Sequence, residues 1–323
     1  MFLRAIIFVA ALLVGAPVPA AGQQAGAIPA IGVLAQDLQP GLLDTFRDEL
    51  QKLGYVEGKS ITIEVRNAEG QNERLAALAA GLVERKVRAV VAVNTPAVQA
   101  AKRATATIPI VMMRVADPVK SGLVPSLARP GGNVTGLSFM PEALGPKGVE
   151  LLREIIPGVA RMAALYQGNN AGATLIVDEV ERKGVQLGLK FVRLPVHDPS
   201  DYAKSFAIAS DAKAQALFVM DDGTITQHRR QILDLAVAHA LPVVSIYRDF
   251  ASAGGLIAYG PKLSVFYRRA AHYVDKLLKG EAASALPVEQ PVSFDLAINL
   301  RTAKALGLTI PESVLIRADD IIE

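Results

Sequence analysis

The sequence predicts an α/β protein with two lobes, each built on a doubly wound parallel sheet. Short apolar strands of four to seven residues alternate with amphipathic helices along most of the chain. This alternation is typical of parallel sheets that helices cover on both faces. It occurs twice, once on each side of a glycine-rich turn at Gly131-Gly132. The chain has 323 residues, of which 51% are hydrophobic, so it is long enough and apolar enough to fill two cores.

The first series of elements predicts lobe 1. Apolar runs predict strands at residues 31–35, 61–65, 89–93 and 108–115. Apolar residues at helical spacing predict one helix from Leu42 to Leu53, which stops at Gly54, and another from Leu75 to Leu82. Asn94-Thr95-Pro96 has the pattern of an N-cap followed by proline in the first turn, so a further helix is expected from Ala97.

The run Asp117 to Gly136, DPVKSGLVPSLARPGGNVTG, predicts one more helix and a strand. Asp before Pro favours a helix start, because the carboxylate accepts a free backbone N–H and proline tolerates the first turn. We therefore expect a helix from Asp117-Pro118 to Arg129-Pro130, and a strand that begins at Asn133.

The second series predicts lobe 2. Helices are expected at residues 144–156, 173–187, 202–210 and 227–239, and strands at 162–166, 190–194, 216–220 and 243–246. A helical stripe of apolar residues over 263–278 follows, and its apolar face needs a sheet to cover.

The two series suggest a clamp with a three-strand hinge. We expect lobe 1 to comprise residues 28–137 plus 262–291, and lobe 2 to comprise residues 138–261 plus 292–323. The chain then crosses between the lobes three times. Gly254-Gly255 and Tyr259-Gly260-Pro261 are interpreted either as hinge residues or as ordinary turn residues.

Residues 1–21 have the layout of a secretory signal peptide. Arg4 precedes an apolar stretch from Ala5 to Val14, and small residues follow, so cleavage is expected near Ala20 or Ala21. The stretch is too short to span a membrane, and the alternative interpretation is a buried N-terminal helix.

The chain contains no cysteine, and this limits both its chemistry and its cellular location. The absence of cysteine excludes disulfides, thiolate metal sites, a cysteine nucleophile and the lipid-modified cysteine that tethers some exported proteins. We expect a periplasmic protein that is not inserted in the membrane once the signal is removed. Without Arg4 the 34 basic residues become 33 against 31 acidic, a net charge of +2, which is too balanced to indicate nucleic acid.

Catalytic and metal-binding motifs are missing from the sequence. The four histidines show no metal-ligand spacing, and the chain has no GxSxG, HExxH, GxxxxGK[ST] or strand-linked GxGxxG motif. We expect no cofactor and no metal site, and an enzyme is only a weak alternative.

Four segments together resemble a known family. They are GYVEGKSITIEVRNAEG (54–70), DPVKSGLVPSLARPGGNVTGLS (117–138), YRRAAHYVDKLLKG (267–280) and LPVEQPVSFDLAINLRTAKALGLTIPESVLIRAD (286–319). They are similar to the ABC-transporter substrate-binding protein family that includes tryptophan and tyrosine binders. The resemblance implies a type I periplasmic binding protein fold, a small-molecule ligand held between the lobes, and delivery to a membrane permease driven by a separate ATPase.

A clamp of this kind needs polar groups at the carboxyl ends of its strands. In lobe 1 these candidates are Gln36, Asp37, Asn94, Thr95, Pro96, Arg114 and Asp117. The helix start at Thr95-Pro96 offers N–H groups and a partial positive charge to a ligand carboxylate, or Thr95 only caps its own helix. The Arg114 guanidinium either binds such a carboxylate or pairs with Asp117.

In lobe 2 the candidates are Tyr166, Asn170, Asp222 and Tyr247, and Phe139 at the crossing completes the set. Asp222-Gly223-Thr224 matches a DNT-like motif of the family, with Gly223 in place of asparagine. The resemblance implies that Asp222 faces the ammonium group of an amino acid; alternatively, Asp221 or Asp222 caps the next helix. Phe139, Tyr166 and Tyr247 would form aromatic walls.

The sequence therefore predicts the periplasmic solute-binding component of an ABC importer, acting as a monomer on a carboxylated metabolite such as an amino acid. A periplasmic sensor that presents its ligand to a receptor would use the same clamp.

Overall fold

The computed structural model describes residues 28–323, so the predicted signal peptide lies outside the described residues. The first part of the chain folds into five strands with helices between them. In chain order the elements are β1 (Ala30–Ala35), α1 (Pro40–Lys52), β2 (Thr62–Asn67), α2 (Leu75–Glu84) after a 3-10 turn at Asn72–Arg74, β3 (Ala89–Val93), α3 (Thr95–Ala104), β4 (Ile110–Ala116) and β5 (Val134–Phe139). The strand order is β2-β1-β3-β4-β5, and all pairs are parallel.

A second sheet of seven strands follows. Its part of the chain contains α4 (Pro141–Ile155), β6 (Arg161–Gln167), α5 (Ala171–Gln186), β7 (Lys190–Val196), α6 (Asp201–Asp211), β8 (Ala216–Met220), α7 (Gly223–Gln227), α8 (Arg229–Ala238), β9 (Val243–Ser245), α9 (Arg248–Ala253), β10 (Ile257–Gly260), α10 (Leu263–Leu278), a 3-10 turn at Ala283–Ala285, β11 (Asp295–Asn299), α11 (Leu300–Ala305), α12 (Glu312–Leu315) and β12 (Asp320–Ile322). The order is β12-β11-β10-β9-β8-β6-β7, and only the β10–β11 pair is antiparallel.

These two sheets confirm the predicted fold class. Side chains alternate along the strands, so that Val33 belongs to the same core cluster as Phe46 of α1, while the next residue, Leu34, belongs with Leu82 of α2 to the core cluster on the other face. Helix α10 comes late in the chain but packs on the first sheet, against α1, β3, β4 and β5. Strands β10, β11 and β12, with the short helices α9, α11 and α12, were not predicted from the sequence.

The helix predicted from Asp117 to Arg129 is wrong. Residues 117–124 form hydrogen-bonded turns, in which the N–H of Ser121 donates to Asp117 O and that of Leu123 donates to Pro118 O. Gly122 has a φ of +68°, and Pro125 lacks the N–H that a helix interior needs. The strand expected from Asn133 is confirmed as β5.

Within residues 28–323, none of the helices combines the length and the apolar character that crossing a membrane requires.

Candidate functional site

The carboxyl ends of the two sheets meet at a cleft. Gln36, which follows β1, contacts Asp222 and Gly223, which follow β8 in the other sheet, and Asn94, which follows β3, contacts Gln36. Seven of the twelve predicted residues line a small enclosed space there: Asn94, Thr95, Arg114, Phe139, Asn170, Asp222 and Tyr247. Six residues outside the predicted set line it too: Ala116, Gly172, Ala173, Ile176, Met220 and Asp221.

The enclosed space has a volume of about 10 Å³, which is room for about one water molecule. Tyr247 also lines a second cavity of about 440 Å³, whose walls include Arg248, Asp249 and Lys262. As these side chains are placed, the space is therefore too small for an amino acid. A ligand of that size enters only when the sheets move apart.

Gln36 joins the two sheets. Its side chain is fully buried; Nε2 donates to Asp222 Oδ2 at 3.2 Å, and Oε1 accepts from the Gly223 N–H at 3.1 Å. Oε1 also accepts from Asn94 Nδ2 at 3.1 Å. Both ends of the amide are thus satisfied by protein groups on both sides of the cleft.

Two further hydrogen bonds cross the cleft beside Gln36. Thr224 Oγ1 donates to Gly70 O at 2.7 Å, and Gln227 Nε2 donates to Asp37 Oδ1 at 2.6 Å. We call this group of contacts the latch: residues 36, 37 and 70 on one side, and residues 222–227 on the other. It holds the sheets together through protein groups alone.

Gly223 sets how closely the latch can pack. A Cβ atom at this position would lie 2.8 Å from Gln36 Cγ and 2.9 Å from both Asp37 Cβ and Asp37 N. No ordinary side chain fits there without moving the sheets apart. Gly223 is therefore a requirement of the closed packing.

Asp222 has all its acceptor positions occupied. Oδ1 caps α7 by accepting from the N–H groups of Thr224 and Ile225, and Oδ2 accepts from Asn170 Nδ2 at 2.9 Å as well as from Gln36. A carboxylate has about four acceptor sites, so none is left for a ligand ammonium group. Burial raises the pKa of this carboxyl. The helix-cap interpretation of Asp222 is confirmed.

Arg114 reaches the cleft through a bulge in β4. Met112 pairs with Gly136 and Val115 with Ser138, so three steps along β4 match two along β5. Arg114 has a φ of +57°, and Gly136 allows the close approach, since a Cβ there would lie 2.3 Å from Met112 O. Bulges of this kind redirect a side chain out of the regular alternation.

The Arg114 guanidinium has unused hydrogen-bonding capacity. It is 6% exposed; Nε donates to Tyr247 Oη at 3.3 Å, and the guanidinium lies 4.5 Å from the centre of the Tyr247 ring. Its two NH₂ groups make no hydrogen bond within residues 28–323. The neighbouring Tyr267 hydroxyl is buried and meets no hydrogen-bond geometry within residues 28–323, although Arg114 is close enough to oppose the rise in its pKa that burial causes. Arg114 does not pair with Asp117.

Asp221 is the second charged group with unused capacity, and the predicted site residues did not include it. It is 2% exposed, and its Oδ1 accepts from Thr226 Oγ1. Burial raises the pKa of this carboxyl to about 7, against the opposing effects of Thr226 and Arg114. The strand-end position was visible in the sequence, but which of the two adjacent carboxyls caps the helix was not.

The N-terminus of α3 also lines the space. Its N-cap is Asn94, at a φ of +74°, and no side chain caps the helix. The interpretation that Thr95 caps its own helix is therefore wrong, because Thr95 lies inside the first turn. The uncapped turn leaves N–H groups and the positive end of the helix dipole at the cleft.

The remaining predicted residues lie elsewhere. Asp117 caps the N–H of Lys120 and forms an ion pair with its Nζ at 3.4 Å. Tyr166 is buried in the core, and neither it nor Pro96 lines the enclosed space. Phe139 and Tyr247 do line it, with ring centres 6.1 Å apart. Within the described part of the chain, no cluster of three or more His, Cys, Asp or Glu residues could hold a metal ion.

Comparison with known proteins identifies similar sequences. A family model described as ABC transporter substrate binding protein matches residues 33–322. A tyrosine-binding protein of Clostridioides difficile (strain R20291) is 27% identical over 263 residues, which covers 81% of this chain and 75% of that protein.

Two solved structures are similar to this chain, one with a bound ligand and one that is ligand-free and open. The ABC domain of Streptococcus pneumoniae in complex with L-Trp is 28% identical and covers 92% of this chain and 100% of its own, with a TM-score of 0.86. The ligand-free, open structure of a substrate-binding protein with adhesive properties from Clostridium difficile is 26% identical, covers 91% and 99%, and has a TM-score of 0.66. At nearly equal identities, this chain has the higher TM-score with the L-Trp complex and the lower one with the structure described as open.

Proposed function

The chain belongs to the ABC transporter substrate-binding protein family, and on this premise we propose that it is the solute-binding component of an ABC importer. It closes two lobes around a small carboxylated metabolite and delivers it to a membrane permease that a separate ATPase drives. We propose the lobe boundaries given above, at residues 28–137 plus 262–291 and 138–261 plus 292–323. The protein acts in the periplasm as a monomer and catalyses no reaction.

One observation supports a carboxylate in the ligand: within residues 28–323 the two NH₂ groups of the buried Arg114 guanidinium make no hydrogen bond, and they line the cleft together with the uncapped start of α3. Arginine forms two parallel hydrogen bonds with a carboxylate, and a helix N-terminus favours an anion. A buried charge without a partner is costly, and a ligand carboxylate removes that cost.

Amino acids are the first candidates among carboxylates. Relatives at 27% and 28% identity are a tyrosine-binding protein and a structure in complex with L-Trp. Phe139 and Tyr247 offer aromatic surfaces at the cleft of this chain, next to Arg114. Opening of the latch admits the ligand, and its re-formation encloses the ligand between the sheets.

The test is a thermal-shift screen of the mature protein against amino acids, aromatic acids, short organic acids, nucleosides and sugars. A ligand at 100 times its dissociation constant stabilises the folded protein by about 2.7 kcal/mol. We expect a rise in Tm with one or more amino acids or carboxylates and none with nucleosides or neutral sugars. A rise confined to sugars or nucleosides would contradict the proposed ligand class.

A further inference from the structure

Of the charged residues that line the enclosed space, Arg114 and Asp221 are the two that residues 28–323 leave incompletely paired, and both are buried. Each has unused hydrogen-bonding capacity at the same enclosed space, and the two form no ion pair or hydrogen bond with each other. They come from opposite sheets, since Arg114 lies in β4 and Asp221 directly follows β8. A molecule between the sheets is therefore in reach of both.

Building on the proposed function, we infer that the ligand is a zwitterion whose carboxylate binds Arg114 and whose ammonium group binds Asp221. Asp222 has no part in amine recognition and serves only the latch. An α-amino acid carries both charged groups on one carbon atom, so it bridges two opposite charges that approach each other across a narrow cleft.

The hydrogen bonds of the adjacent carboxyls separate their roles. Asp222 accepts from Thr224 N, Ile225 N, Asn170 and Gln36, which saturates it. Among the described residues, Asp221 accepts a side-chain hydrogen bond from Thr226 Oγ1 alone. An ammonium group donates three hydrogen bonds, and Asp221 Oδ2 has acceptor capacity left for one of them.

The charges around Asp221 agree with this assignment. Arg114 from β4 and Arg229 from α8 favour its ionised form, while Asp222 opposes it. Burial outweighs the favourable groups and raises the pKa of the carboxyl to about 7. A carboxyl in this setting gains from a further cation, which a ligand ammonium group supplies.

The test compares amino acids with analogues that lack only the amine. Calorimetric affinities are measured for three pairs: L-tyrosine with 3-(4-hydroxyphenyl)propionate, L-tryptophan with indole-3-propionate, and L-leucine with 4-methylpentanoate. In any pair that binds, wild-type affinity should be about tenfold to a hundredfold higher for the amino acid than for its analogue, as expected for a hydrogen bond to a charged group. D221N should abolish this preference by weakening the amino acid alone.

Two matched variants separate recognition from closure. D222N removes a latch carboxylate and should weaken both members of a pair by the same factor. D234N makes the same change at an exposed position of α8 and should change neither. Circular dichroism and Tm establish that each variant is folded, and the wild-type preference is a test that needs no variant.

The outcomes are distinct. If amino acids bind but their des-amino analogues bind equally well, or if D222N rather than D221N abolishes the preference, the inference is wrong and the proposed function stands. If no member of any pair binds wild-type protein, the inference fails for these ligands, and the thermal-shift screen decides the proposed function separately.

Discussion

The cleft has two regions that differ in how completely their buried polar groups are hydrogen-bonded. In the latch, Gln36, Asp222 and Thr224 find their partners within the protein, and a close glycine contact lets the sheets meet. Arg114 and Asp221, which line the neighbouring enclosed space, are also buried but keep donors and acceptors that no other residue of the described chain uses. The difference indicates that closing and ligand recognition depend on separate residues.

This separation has an energetic reason. A latch that is complete without ligand stabilises the closed form, while unpaired charges at the centre destabilise it. A ligand that pairs those charges shifts the balance towards closure by its differential affinity for the closed form. Variants in each region should therefore have different signatures.

The largest effect is expected for Arg114→Met, which keeps most of the side-chain volume and removes the charge. Losing one partner of a buried charge pair costs about 2–5 kcal/mol, so affinity for any carboxylate should fall by at least about thirtyfold. Calorimetry with the ligand found in the screen measures this. Arg129→Met, at an exposed position, is the control. Unchanged affinity in Arg114→Met would remove Arg114 from the site.

Gly223→Ala should act on closure. The added Cβ would lie within 2.9 Å of Gln36 Cγ, Asp37 Cβ and Asp37 N, and overpacking of this kind costs about 1–3 kcal/mol. We expect a larger radius of gyration by small-angle X-ray scattering and about fivefold to a hundredfold weaker binding. Gly81→Ala in α2, where a Cβ meets no atom within 4 Å, is the control. A Gly223→Ala variant as compact as wild type would contradict the role of the latch.

The Asp221 carboxyl should make the stability of the ligand-free protein depend on pH. Its pKa is raised by burial to about 7 in the folded protein, from an ordinary value of 3.8. The unfolded chain thus loses this proton first, and the carboxyl lowers stability progressively as pH rises from about 4 to about 7. The Tm of Asp221→Asn relative to wild type should rise over that range and level off above pH 7. A constant difference from pH 4 to pH 8 would show that the carboxyl titrates normally.

The sequence predicts the scaffold better than the site. Alternating apolar runs locate most strands and helices, because each needs only a local pattern. The helix expected after Asp117 failed because Pro125 outweighs the Asp-Pro start signal. The bulge at Arg114 depends on Gly136 in another strand, a long-range contact that no local pattern reports. For the same reason the sequence could place Asp221 and Asp222 at the cleft but could not divide their roles.

The smallest effect is expected for Asp117→Asn. This side chain caps Lys120 N and pairs with Lys120 Nζ at a part of the loop that does not line the enclosed space. Exposed ion pairs contribute about 0–1 kcal/mol, so ligand affinity should stay within about twofold of wild type. A tenfold loss by calorimetry would place the Asp117 loop in the ligand site.

The central claim is that the latch closes the cleft while Arg114 and Asp221 bind the ligand. A crystal structure of the protein with a bound amino acid tests this claim most directly. We expect the ligand ammonium group about 3 Å from Asp221 Oδ2 and its carboxylate at the same distance from the Arg114 NH₂ groups, with the Gln36–Asp222 contact preserved. An ammonium group bound to Asp222, with Gln36 displaced, would contradict the account.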